Sequence, residues 1–142
     1  MAVPVCGQGS VFEYSTDGTT FTVIPAVTAM GISIGQVSML DISNNASNGL
    51  TEQKPMKRGA HTMTATIQLD PDDATHNTIM AQVNNSGICA AAATIWRMTM
   101  PNAGGATWKL SGWPNGEISQ SHDNIWMMNL TLNGTGALTY TQ

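Results

Sequence analysis

From His61 to Leu69 the chain alternates without a break, with Met63, Ala65, Ile67 and Leu69 at odd positions and Thr62, Thr64, Thr66 and Gln68 at even ones. Successive side chains of a strand point to opposite faces, so this segment is a strand with one apolar face and one polar, uncharged face. Threonine belongs there because its branched Cβ fits a pleated surface. The apolar face is core. The polar face suits either water or a second subunit.

Shorter runs repeat the pattern. Ser10 to Tyr14 and Phe21 to Ile24 flank Asp17-Gly18, a turn dipeptide. Met30, Ile32 and Ile34 alternate with Gly31, Ser33 and Gly35, and Val37 to Ile42 continues as a further strand. Trp96, Met98 and Met100 share one face of Ile95 to Met100. Pro101 to Gly105 turns the chain into Thr107 to Trp113, and Pro114-Asn115-Gly116 turns it again into Glu117 to Ser121. Met128, Leu130 and Leu132 alternate with Asn129, Thr131 and Asn133 in a last strand. The reading is a single domain over residues 1–142, mainly β, an antiparallel sandwich or barrel.

One helix is expected over about 71–84. Asp70 reads as its N-cap and Pro71 as its first residue, with Asp72 and Asp73 near the positive end of the dipole. Ile79, Met80 and Val83 form its apolar stripe, and Gly87 suits a left-handed cap. Between the strands, Ser43 to Gly59 is long for a connection and has neither period. It carries Lys54, Lys57 and Arg58, three of the five basic residues of the chain. A docking element for another copy and a solvated loop both fit that composition.

Only 10% of the 142 residues are charged, against roughly 25% in ordinary soluble domains. Like-charge repulsion normally keeps proteins apart, so so bare a surface favours self-association. The net charge of −4 with five basic residues argues against tight nucleic-acid binding, whose affinity comes mostly from cations at phosphates. No apolar run approaches a membrane span, so no membrane partner is expected, and the first residues show no export signal. Cys6 and Cys89 are too few for a disulfide scaffold and read as reduced thiols.

Catalytic and metal readings fail in turn. Asp72, Asp73 and His76 share a helix face, but one helix end offers at most three ligands and helix capping explains the acids. His61 reads as a satisfied edge histidine. His122 beside Asp123 lacks a nucleophile to go with it, and no phosphate loop, nucleophile elbow or Cys-x-x-Cys occurs. The Asn-x-Ser/Thr triplets are chance matches in a chain this rich in those residues. Trp96 and Trp108 are in phase with apolar neighbours and read as core. Trp113 and Trp126 are candidates for exposed or interfacial aromatics, which keeps a carbohydrate-binding module open as an alternative. No enzymatic activity, cofactor or metal is expected.

The order of elements carries a resemblance. It runs from Gly9–Ser15 through Thr22–Val27 and Gly35–Ser43 to the long segment, then Arg58-Gly59-Ala60, the threonine-rich strand and Leu69–His76. This resembles the major tail tube proteins of long, non-contractile-tailed bacteriophages, most clearly from about Gly35 to Val83. The resemblance implies a paired-sheet β domain with one flanking helix and a long inter-strand arm. It also implies six-membered rings that stack into a hollow tube for genome DNA, which passes without specific binding. The arm, about 43–59, would then form the inter-ring or subunit interface through Asn44, Asn45, Asn48, Leu50, Glu52, Lys54, Met56, Lys57 and Arg58. Thr62, Thr64, Thr66 and Gln68 would face a neighbouring subunit or the lumen. Further copies of the chain, tape-measure, tail-tip and terminator proteins are the implied partners. The implied location is the virion tail, assembled in the bacterial cytoplasm. A secretion-system tube ring of similar fold is the nearest alternative.

Overall fold

The computed structural model describes residues 9–44, 46, 48–87, 91–101, 104–120 and 124–142. Its strands are β1 (Val11–Ser15), β2 (Thr22–Val23), β3 (Val27–Ser33), β4 (Val37–Asp41), β5 (Gln53–Arg58), β6 (Thr62–Gln68), β7 (Thr94–Thr99), β8 (Thr107–Gln120) and β9 (Trp126–Thr141), with α1 (Ala74–Val83) between β6 and β7. Seven strands form one antiparallel sheet in the order β2-β1-β7-β8-β9-β6-β3, and β4-β5 stand apart as a two-stranded sheet.

The long strands β8 and β9 run through two halves of this sheet. β7 pairs with β8 only as far as Gly112, whereas β6 takes β9 from Met127 to Asn133. Gly112 pairs with Gly134 at the changeover, and the β8–β9 register slips beside it, between Lys109 and Ser111. Here the two backbones approach too closely for side chains. A Cβ on Gly112 would overlap the Asn133 carbonyl, and one on Gly134 would meet His61 O at 2.7 Å. Past that crossing the halves close on each other. Phe12, Tyr14, Trp96 and Leu110 from one half meet Met63, Ile67, Met128, Leu130 and Leu132 from the other in one buried cluster. Thus the sandwich expected from the sequence is built from one folded sheet.

The expected break at Pro114-Asn115-Gly116 is absent, because β8 continues through it opposite Leu132, Thr131 and Leu130. Pro114 lies beyond the end of β7, where β8 has a strand partner on one side only, so its missing N–H removes no ladder bond there.

Helix α1 starts later than its aspartates imply. Asp73, not Asp70, is the N-cap, and its carboxylate accepts from Thr75 N and His76 N at 2.9 and 3.1 Å. Asp70 is taken up in a turn of its own, accepting Asp72 N on its carboxylate and Asp73 N on its carbonyl. The turn is held by His76, which is buried. Its Nδ1 accepts Asp70 N–H at 3.0 Å, which leaves Nε2–H to donate to Pro25 O at 2.9 Å. The helix ends on Asn84, with its N–H on Met80 O, and not through a left-handed Gly87.

The β1–β2 turn is organised by Asp17, whose Oδ1 accepts from Thr19 N and Thr20 N at 2.9 Å and from the Ser15 hydroxyl at 2.8 Å. These bonds favour the charged form and hold the carboxyl far below its ordinary 3.8, the Thr20 N–H contributing most. A depressed carboxyl pKa gives stability that is complete above the unfolded value and is lost as pH falls toward the folded one. The Thr19 and Thr20 amide shifts are therefore expected to stay flat from pH 7 to about 4 and to move only at more acid pH. Movement centred at 3.8 or higher would contradict this turn.

Candidate assembly surfaces

The segment expected to be an aperiodic loop is a β-hairpin that includes the preceding strand. Met39, Leu40 and Asp41 pair with Pro55, Lys54 and Gln53, and Ile42 N–H donates to Glu52 O at 2.9 Å. Periodicity failed as a signal because every residue of β4 and β5 is exposed, so neither face had to be apolar. One face carries Leu40, Lys54 and Met56 and the other Met39, Pro55, Asp41 and Gln53, by alternation and pairing. Leu50 lies near the tip and is 73% exposed. Asn44 and Asn48 are also in the tip region, Asn48 in a left-handed conformation, whereas Asn45 lies outside the described residues. Asn44 Oδ1 accepts Ala46 N, and Ser43 Oγ accepts Glu52 N at 2.7 Å, closing the tip. Asp41 accepts Ser43 N, and its bonds with Ser43 hold the carboxyl below the ordinary range.

The arm is clamped at its base. Gly35 N–H donates to His61 Nδ1 at 3.1 Å, the Arg58 guanidinium donates to Gly35 O at 2.9 Å, and Gly59 N–H donates to Gln36 O at 2.8 Å. The two chains touch there, so a Cβ on Gly35 would overlap the Gly59 carbonyl and lie 2.8 Å from Ala60 O. Gly35→Ala is accordingly expected to open the clamp. Hydrogen exchange at Leu40, Ile42 and Gly59 should accelerate at least tenfold, with β6 and β9 unchanged. Unaltered exchange across β4 and β5 would show that the close approach does not hold the arm.

Thr62, Thr64, Thr66 and Gln68 lie on the sheet face opposite the core, while Met63, Ala65 and Ile67 are buried. Register extends this face across four strands. Ser33, Thr62, Asn133 and Trp113 form one row, Gly31, Thr64, Thr131 and Asn115 the next, and Ala29, Thr66, Asn129 and Glu117 the third. Thr66 Oγ donates to Asn129 Oδ1 at 3.3 Å. Within those rows Glu117 is the one charge. On the other half of the same face, Glu13, Arg97 and Lys109 are in register. Glu13 and Arg97 form an ion pair of 2.7 Å, and Phe21 lies under the guanidinium at 3.8 Å. Ion pair and ring together place both remaining basic residues in one row. This row was not legible from spacing, since it needs Glu13 of β1 to pair with Arg97 of β7, 84 residues later in the chain.

Among the described residues no group of three or more His, Cys, Asp or Glu is placed to hold a metal ion. His76 is spent on backbone groups, and His61 on the arm base. Cys6, Cys89, His122 and Asp123 lie outside the described residues. Trp96 is fully buried, and Trp108 is half-buried against Tyr140, ring centroids 4.5 Å apart. Trp113 is half-buried with its Nε1–H on Ala91 O, and Trp126 is 53% exposed. No described helix is long and apolar enough to cross a membrane.

No protein-family model and no curated protein matches the sequence. Solved structures do match the fold. A tail chain of an empty gene transfer agent particle, determined with C6 symmetry, superposes with a TM-score of 0.69 at 16% identity, over 93% of this chain and 95% of that one. The SPP1 tail tube chain gives 0.70 at 16% identity, over 97% of this chain and 79% of that one. A chain of the sheath–tube complex of an extracellular contractile injection system gives 0.69 at 11% identity, over 97% and 91%. The chain has the fold shared by these tube assemblies.

Proposed function

We propose that this chain is a structural tail-tube subunit, not an enzyme, and that residues 1–142 form its tube domain. Copies assemble into six-membered rings that stack into a hollow conduit for DNA. The observation that carries this reading is an arm whose two strands are exposed at every residue, on a body with the fold of tube-forming chains. A two-stranded sheet alone is marginal in water, and its unpaired edges and exposed Leu40, Ile42, Leu50 and Met56 ask for a cover. Another copy supplies it. The arm's Asn44, Asn45, Asn48, Leu50, Glu52, Lys54, Met56, Lys57 and Arg58 then form the contact between rings.

The neutral face of Thr62, Thr64, Thr66 and Gln68 is assigned to the neighbouring subunit or the lumen. Its rows over β3, β6, β9 and β8 contain no cation, so passing phosphates meet nothing that grips them. By the same reading the partners are further copies of this chain, a tape-measure protein and tail-tip and terminator proteins. Its place is the virion tail, assembled in the bacterial cytoplasm. The likeness to the contractile injection complex supports a second reading, an inner tube enclosed by a sheath. Negative-stain microscopy of concentrated, seeded protein tests the proposal: hollow rods or rings are expected. Their absence under all assembly conditions overturns it. Rods that recruit a contractile sheath would select the second reading.

A further inference from the structure

We infer that Leu40 and Met56 of one copy's arm seat in the cavity between β3 and β7 of an adjacent copy; this rests on the tube-subunit reading and specifies its contact. The cavity has a volume of about 310 Å³ and is lined chiefly by Met30, Ile32, Ile34, Met98, Met100 and Trp108. That is about twice the roughly 150 Å³ that accepts a benzene ring, and gives space for two apolar side chains. Three of its lining residues are methionines, whose unbranched chains adapt to an inserted group. Ile34 and Met100 at the cavity are 52% and 39% exposed.

The occupant is a second copy for four reasons. The arm supplies what the cavity lacks, since Leu40 and Met56 share a face with Lys54 and are 48% and 62% exposed. The chain does not fill its own cavity with them, as both stay exposed. Charge also favours the pairing of copies: Val37–Arg58 holds three cations and two carboxylates, a net +1, which leaves −5 on the remainder. Strands of five and six residues span about 17–20 Å, enough to cross to a neighbouring subunit. The larger, more open groove of Met80, Val83, Gly116 and Ile118 beside α1 is the competing seat, but with Asn84 at the helix end its lining is about as polar as apolar. That of the β3–β7 cavity is mainly apolar despite Ser10 and Thr99, so an apolar insertion beside α1 strips more polar surface of water.

The test mixes two single-cysteine variants in a background with Cys6 and Cys89 changed to Ser. One carries Met56→Cys and the other Met100→Cys. Oxidation of assembled tubes is expected to give a disulfide-linked pair at least tenfold more abundant than in unassembled protein. A mixture of Met56→Cys with Ile118→Cys should give none above background. Tubes in which the Ile118 pair forms and the Met100 pair does not would overturn the seat while leaving the tube reading intact. Wild-type protein that never assembles would overturn both. If the cysteine variants alone fail to assemble, hydroxyl-radical footprinting of wild type decides. Met56 and Met100 should both become several-fold less reactive in tubes, and unchanged reactivity of Met100 overturns the inference.

Discussion

Replacing Val37–Arg58 with two glycines between Gln36 and Gly59 is expected to abolish tube formation while the body melts within about 3 °C of the full chain. The ends are ready to be joined, because Gly59 N–H already donates to Gln36 O at 2.8 Å. No described residue of the removed segment belongs to the buried cluster, and all of β4 and β5 is exposed. Their excision therefore leaves the core packing unchanged and removes exposed apolar surface. Calorimetry and electron microscopy on the same sample read the two halves of the expectation. A trimmed protein that still builds tubes of normal length would remove the arm from assembly. A trimmed protein that unfolds would show that the arm holds the body together.

Trp96→Ala is expected to do the opposite, costing about 3–5 kcal/mol of stability. Trp96 is fully buried where the two halves of the sheet meet. Its ring lies 5.8 Å from Phe12 and 5.7 Å from Tyr14, and its Nε1–H reaches Gly112 O at 3.4 Å, near the crossing of β8 and β9. Truncation leaves a large cavity and removes the indole contact to that carbonyl. Against a total of about 5–15 kcal/mol for a domain, most molecules would sit near the unfolding threshold at physiological temperature. Trp96→Phe keeps much of the packing and should recover at least half of the loss. Urea unfolding of the two variants separates them. A loss below 1 kcal/mol for the alanine variant would contradict the core described above.

An element is legible in the sequence when each residue's environment is set within that element. β6 was readable to the residue, because burial on one face forces a period of two onto Thr62–Gln68. The polar rows beside it follow once the register is known. The hairpin β4–β5 was half legible: Val37–Ile42 read as a strand, whereas its partner, Gln53–Arg58, carried no period because nothing in its own chain covers it. The cations Lys54, Lys57 and Arg58 were the signal that the segment is unusual, and one of them proved to clamp the base through Gly35 O. Spacing also failed at Asp70-Pro71, where a good N-terminal pattern stops short of the helix.

The amino-acid sequence by itself determined the β character, the core residues of β6, β7 and β9, the presence of one helix and the poverty of charge, since alternation and composition are local properties. Tertiary structure alone decided where α1 begins, because His76 binds Asp70 N–H and Pro25 O across 51 residues of chain. It alone decided that β8 runs on past Pro114 and that Gly112 and Gly134 let one sheet fold into two packed halves. Those outcomes depend on which backbones approach one another, and that distance is set by partners remote in the chain.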